Sequence, residues 1–187
     1  MEKLNILIAG IGGQGVVTTG RMIAEVFNLK GYKVFEAETH GLAQRGGAVN
    51  VHVRIGDVNT PLIPMGKADI LISLEATEAL RNIEFLSKEA KIFLNTFTKP
   101  ASLPNVKAVQ VSEVVERLRN WQVFQVDCEK IHGKCNSVML GCLYQASLKQ
   151  YVEVKDFLSV MKDETNRNSF LSGLKYFSQA YEQEVRV

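Results

Sequence analysis

Two stretches of this sequence hold residues whose types and spacing could do chemistry, and both are rich in glycine. Gly10-Ile11-Gly12-Gly13-Gln14-Gly15 fits the pattern G-x-G-x-x-G, directly after an apolar run and directly before a segment of helical period. Small residues there let a backbone approach an anion, whose charge then faces a helix N-terminus. Glu36 lies about twenty residues on, at the end of the expected second strand, where an acid could bind a ribose. Gly10, Gly12, Gly13, Gln14 and Gly15 are therefore a candidate anion or dinucleotide site. The same residues equally suit a tight strand-to-helix turn packed on a neighbouring surface, and the fingerprint alone does not separate the two readings.

The second stretch is Glu38-Thr39-His40-Gly41-Leu42-Ala43-Gln44-Arg45-Gly46-Gly47. It follows the carboxyl end of a strand, the edge where open α/β sheets receive ligands and partners. His40 could act as an acid or base, and Arg45 could clamp a carboxylate or phosphate through paired hydrogen bonds. Gln44 adds a directed polar contact, while Gly41, Gly46 and Gly47 let the backbone turn sharply and approach another chain. Thr39, His40, Gly41, Gln44, Arg45, Gly46 and Gly47 are accordingly expected to form a partner or active-site surface that positions groups and transfers no proton. The competing reading is that His40 and Arg45 bind loop carbonyls and merely brace the turn.

Cys128-x3-His132-x2-Cys135, with Cys142 beyond, invites a metal. Zinc sites favour tight two-residue cysteine pairs, and a cubane cluster needs four thiolates. Neither pattern is present, so no metal is expected here. Cys142 falls in an apolar helix, where cysteine packs as a small hydrophobe. No nucleophile elbow, Walker loop or paired-carboxylate signature stands out either. The residues offer a binding surface and no complete catalytic set.

The elements that must position these residues follow from hydrophobic period. Leu4–Ala9 reads as a strand buried on both faces, and Val16, Val17, Ile23, Ala24 and Phe27 share one face of a helix that Gly31 ends. Tyr32–Ala37 is a second strand, so a parallel β-α-β pair is expected. Thr39–Gly47 is a loop by composition, and Ala48–Ile55 alternates cleanly, as an antiparallel or edge strand would. Asp69–Leu74 is a buried strand, Thr77–Lys88 a helix, Lys91–Asn95 and Lys107–Val111 strands, and Glu113–Arg119 a short helix. The chain beyond Val126 reads as mainly helical, with a segment around Val138–Ala146 apolar almost all round. Phe170, Leu171, Leu174, Phe177 and Tyr181 mark one face of a last helix. The expected fold class is α/β: a Rossmann-like three-layer domain with a mostly parallel sheet and helices on both faces, in a single domain over 1–187.

Composition narrows the function classes. The 187 residues are 46% hydrophobic and 22% charged, which excludes wholesale disorder. Lys and Arg exceed Asp and Glu by a net charge of +2, and no basic stripe suggests nucleic acid. No window approaches the roughly 20 apolar residues of a membrane span, and no secretory signal precedes the first strand. Three cysteines argue against a disulfide framework, so the expected location is cytoplasmic.

The Gly10–Gly15 loop together with Glu38-Thr39-His40-Gly41 and Ala43-Gln44-Arg45-Gly46-Gly47 resembles the gamma subunit or gamma domain of the 2-oxoacid:ferredoxin oxidoreductases, in particular the small subunit of the indolepyruvate branch. The resemblance continues through Pro61-Leu62-Ile63-Pro64, Ala68-Asp69, Leu74-Glu75, Glu78-Ala79 and Arg81, and returns at Asn136 and Leu140-Gly141. It implies oxidative decarboxylation, in which a 2-oxoacid and coenzyme A give an acyl-CoA, carbon dioxide and reduced ferredoxin. It further implies that this chain binds no cofactor, with thiamin diphosphate, Mg2+ and iron–sulfur clusters on larger partner subunits and ferredoxin an indirect partner. The isolated chain could form a homodimer. Sister subunits serving pyruvate or 2-oxoglutarate carry Ser-Tyr-Gly where this chain has Thr39-His40-Gly41, which points to an arylpyruvate. The alternatives are a gamma subunit for pyruvate, 2-oxoglutarate or branched-chain 2-oxoacids, or a free-standing nucleotide-binding protein using the Gly10–Gly15 loop.

Overall fold

A computed structural model describes residues 3–40, 47–100, 107 and 109–181, with His40 in its backbone only. Strand β1 (Lys3–Ile11) carries the first apolar run, and its alternate side chains go to opposite cores. Leu4, Ile6 and Ile8 face one layer of helices, while Leu7 and Ala9 face the other. Such double burial is why the run is continuous rather than alternating. Helix α1 (Val16–Leu29) follows, and Gly31 at φ +80° ends it where the residue after a C-cap belongs. The remaining elements are β2 (Val34–His40), β3 (Ala48–Gly56), β4 (Ala68–Ser73), α2 (Ala76–Arg81), β5 (Leu86–Asn95), α3 (Val111–Arg117), β6 (Gln122–Val126), α4 (Cys135–Leu143), α5 (Val154–Val160) and α6 (Glu164–Tyr181).

These strands form one six-stranded sheet in the order β2-β3-β1-β4-β5-β6. Strands β1, β4, β5 and β6 are parallel neighbours, and β3 alone runs against the rest. Helices α1, α4, α5 and α6 cover one face, and α2 and α3 cover the other. The expected mostly parallel α/β sheet with helices on both faces is what the chain adopts. Among the described residues no helix is long and apolar enough to cross a membrane.

Several local expectations are corrected. Strands β1 and β2 run in one direction but do not pair, because β3 is inserted between them and hydrogen-bonds both. The clean alternation of β3 belongs to an antiparallel strand, the first of the two expected alternatives, which lies inside the sheet and not at an edge. Val51, Val53 and Ile55 enter the core under α1, while His52 and Arg54 are buried beneath the irregular segment that contains Pro61 and Pro64. Ile63 donates its N–H to His52 Nδ1 at 3.2 Å, and Arg54 donates to Asn5 Oδ1 at 2.9 Å and to the Thr60 hydroxyl at 2.6 Å. Burial, helped by the Arg54 charge, therefore holds the His52 pKa below its ordinary value.

The expected Thr77–Lys88 helix stops at Arg81, where the Asn82 side chain donates back to the Glu78 carbonyl at 2.8 Å. A 3-10 turn at Ile83–Phe85 then leads straight into β5, which begins five residues before the expected Lys91. No strand covers Lys107, Val109 or Gln110, and α3 starts at Val111. The sheet's last strand is instead Gln122–Val126, which sequence reading passed over. In α6, Leu171 points outward at 41% exposed, whereas Phe170 and Phe177 are buried. The predicted central helix is central: Val138–Leu143 is wholly buried between α6 and the sheet face.

Candidate functional site

The glycine loop leaves β1 at the point where the sheet's connections diverge, since α1 carries the chain toward β2 on one side and β4 lies on the other. Open α/β sheets place ligands in that crevice. Gly13 and Gly15 have φ of +98° and +84°, and a Cβ on Gly15 would lie 2.7 Å from Asn136 Nδ2. Only glycine meets both demands at position 15. Gln14 is a brace: its Oε1 accepts the Ile11 N–H at 2.9 Å and its Nε2 donates to the Leu74 carbonyl at 3.1 Å. Asn95, at the end of β5, donates to the same carbonyl at 2.9 Å and accepts the Cys128 N–H at 3.3 Å. The carboxyl ends of β1, β4 and β5 are thus tied in one polar chain.

Beside that chain opens a cavity of about 550 Å3, lined among others by Gly13, Gly15, Thr18, Lys134, Asn136 and Asn166. Helices α1 and α4 both begin at its wall, capped by Gly15 and Lys134 with no side-chain cap on either. Each helix start leaves backbone N–H groups without intrahelical partners and carries partial positive charge. Lys134 adds a full charge at the rim, 3.5 Å from Asp163. The arrangement can hold an anionic group. Asn95, Lys134, Asn136 and Asn166 were not singled out as site residues from sequence; a polar Asn95 closing the buried Ile92–Leu94 run is the signal that was available.

On the other side of β1 a smaller cavity, about 270 Å3, is lined by Gly47, Glu75, Glu78, Arg81 and Lys99, among others. Glu75 caps α2, accepting the Glu78 N–H at 3.0 Å and the Thr77 hydroxyl at 2.6 Å, and its other oxygen accepts the Lys99 N–H at 2.8 Å. Glu78 is buried with one oxygen unpartnered, so burial raises its pKa although Arg81 stands 3.5 Å away.

Of the second predicted constellation, Thr39 and His40 belong to β2 rather than to a loop, paired with Asn50 and Val49. Gly41, Gln44, Arg45 and Gly46 lie outside the described residues. Gly47 is placed: its carbonyl accepts the Gly12 N–H at 2.9 Å, which joins the end of this hairpin connection to the glycine loop. Glu36 is corrected. Because β2 extends to His40, Glu36 stands in mid-strand opposite Val53, with one oxygen buried beside Gly20 of α1 and far along the strand from its end.

The family profile described as pyruvate ferredoxin/flavodoxin oxidoreductase matches residues 5–183. The chain belongs to this family. Indolepyruvate oxidoreductase subunit IorB of Archaeoglobus fulgidus is 44% identical over 142 residues, covering 73% of this chain and 71% of that one. Pyruvate oxidoreductase subunit PORC of Thermotoga maritima shares the fold, with a TM-score of 0.68 at 18% identity over 96% of this chain and 97% of that one. The 2-oxoglutarate:ferredoxin oxidoreductase of Magnetococcus marinus, solved with 2-oxoglutarate, coenzyme A and succinyl-CoA, covers the whole of this chain with 32% of its own length, at a TM-score of 0.66 and 16% identity. The fold thus occurs both in a chain of this size and within a longer one.

This family member's own thiols do not fit an iron–sulfur cluster. Cys142 is fully buried and donates to the Gly173 carbonyl at 3.3 Å, leaving only Cys128 and Cys135 at a cavity wall. A four-thiolate cluster needs twice that number. Among the described residues no three His, Cys, Asp or Glu are grouped to hold a metal.

Proposed function

We propose that this chain is the cofactor-free gamma-type subunit of a cytoplasmic indolepyruvate:ferredoxin oxidoreductase, formed as one domain over residues 1–187. The observation that carries this reading is the 44% identity to the Archaeoglobus IorB subunit across nearly three quarters of the chain. The complex converts an arylpyruvate, coenzyme A and oxidised ferredoxin to acyl-CoA, carbon dioxide and reduced ferredoxin. Thiamin diphosphate with Mg2+ and iron–sulfur clusters, held by a larger partner subunit, would supply the carbanion and electron-transfer chemistry.

This chain's part is positioning. Thr39, His40, Gly41, Gln44, Arg45, Gly46 and Gly47 dock on the thiamin-bearing subunit, next to the path of substrate and coenzyme A. The Gly12–Gly47 hydrogen bond supports that arrangement, because it joins Gly47, the last residue of that stretch, to the glycine loop. The Gly10–Gly15 loop and the start of α4 then face an anionic part of a bound molecule. The test is Arg45→Ala in the co-expressed complex: assembly or turnover falls at least about tenfold, as expected for loss of a charge-assisted contact, while the melting temperature of this chain barely changes. A large fall in melting temperature with normal activity of the surviving complex would make Arg45 a loop brace only.

A further inference from the structure

Cys128 and Cys135 line the same wall of the larger cavity, with the Cys128 Sγ 3.8 Å from the Cys135 carbonyl oxygen. The Cys135 side chain beside it, with burial behind, pushes the Cys128 pKa up. A Cys128 sulfur that already reaches the Cys135 backbone needs no large movement of the chain to form a bridge. The pair is asymmetric. Cys128 is 6% exposed, whereas Cys135 is partly open to the cavity and is the first residue of the nine-residue α4. The Asp127 charge opposes ionisation of Cys128, while Lys134 precedes Cys135. Cys142 donates to the Gly173 carbonyl, and its pKa is pushed up to about 12 chiefly by burial.

We propose that Cys135 and Cys128 are an attacking and a resolving thiol that exchange with small-molecule disulfides entering the cavity. The Cys135 thiolate attacks one sulfur of R–S–S–R′, and R′–S⁻ leaves and takes a proton from solvent. Cys128 then releases its proton to solvent while its sulfur attacks the Cys135 sulfur of the mixed disulfide, expelling R–S⁻, which is protonated in turn. The chain's two thiols are oxidised to one cystine and the entering disulfide is reduced to two thiols, with no further oxidant. The order is fixed because a buried, protonated Cys128 cannot attack first. The bridge ties the 3-10 turn at Cys128–Lys130 to the first turn of α4, so the wall of the cavity becomes redox-dependent.

The test uses the full chain, reduced and then exposed without air to excess 2-hydroxyethyl disulfide, read by intact mass and peptide mapping. The wild type loses two free thiols and about 2 Da, keeping no adduct, as exchange followed by resolution requires. Cys128→Ser keeps one mercaptoethanol adduct on Cys135. Cys135→Ser reacts at least about tenfold more slowly, since only buried thiols remain. Cys142→Ala behaves as the wild type. An unreactive wild type, a wild type that retains its adduct, a bridge to Cys142, or Cys135→Ser reacting at the wild-type rate would each overturn the proposal.

Discussion

Glu36 brings a carboxylate into a place where one of its oxygens is buried with no hydrogen-bond partner. Burial raises its pKa above the ordinary 4.5, the Arg21 charge pulls it back, and Glu38 adds to the rise. A carboxyl whose folded pKa is raised contributes most when protonated, below the unfolded value. That contribution is lost as pH rises through the folded pKa. At neutral pH the charged Glu36 therefore costs stability. Glu36→Gln should stabilise the chain at pH 7 by on the order of 1 kcal/mol, with the difference shrinking toward nothing near pH 4. Melting curves of both proteins across that range check it, and a destabilised variant at pH 7 would show that attraction to Arg21 outweighs burial. His52 has the opposite sign. Its lowered pKa makes its contribution present above 6.5 and lost as pH falls through the folded value. Residue chemistry of this kind was hard to read in the sequence: Glu36 sits at the ribose spacing of a dinucleotide fingerprint, and only the extension of β2 to His40 and the packing of α1 show it facing Gly20.

At the scale of elements, the crossing of α4 and α6 is set by two glycines. A Cβ on Gly141 would lie 2.1 Å from the Phe170 carbonyl oxygen, and one on Gly173 would lie 2.0 Å from that of Val138. Both clashes are with backbone, which cannot rotate away, so the helices would have to separate. Gly141→Ala should cost about 3 kcal/mol or more, at the upper end of overpacking penalties. Gly31→Ala makes the comparison: φ is +80° there but nothing lies within 4 Å, so only the conformational cost of about 1 kcal/mol remains. Urea midpoints of the two variants decide it, and equal losses would sink the packing argument. Period made much of this layer legible, since a segment apolar all round had to lie between other elements. It failed where tertiary context overrode it. Strand β6 alternates poorly, with polar Gln122 and Gln125, and is held by pairing to β5 and by the Phe124 stack on Phe93 at 5.0 Å. The placement of β3 between β1 and β2 depends on hairpin pairing that no single strand's pattern encodes.

At the scale of the molecule, the larger cavity joins residues from Gly13 to Asn166, so its walls are separated by most of the sequence. The glycine loop was legible because its residues are local; Lys134, Asn136 and Asn166 were not, because only the docking of α4 and α6 brings them there. The assembled surface brings together two helix starts without side-chain caps, Lys134, several amides, Glu129 and the thiols of Cys128 and Cys135, and no cluster of metal ligands is found among the described residues. Such a surface can hold an anionic group. Glu36 is packed under α1, and β3 stands where the second strand of a dinucleotide fold would pair. The purified chain should therefore be colourless, give no calorimetric signal with thiamin diphosphate, and leave indolepyruvate and coenzyme A unchanged. NADH should bind no tighter than about millimolar, a standard free energy near −4 kcal/mol. Adding the thiamin- and iron–sulfur-bearing subunit should restore ferredoxin reduction that neither chain gives alone. Turnover by the single chain would place the chemistry within it, and micromolar NADH affinity would return the glycine loop to nucleotide binding.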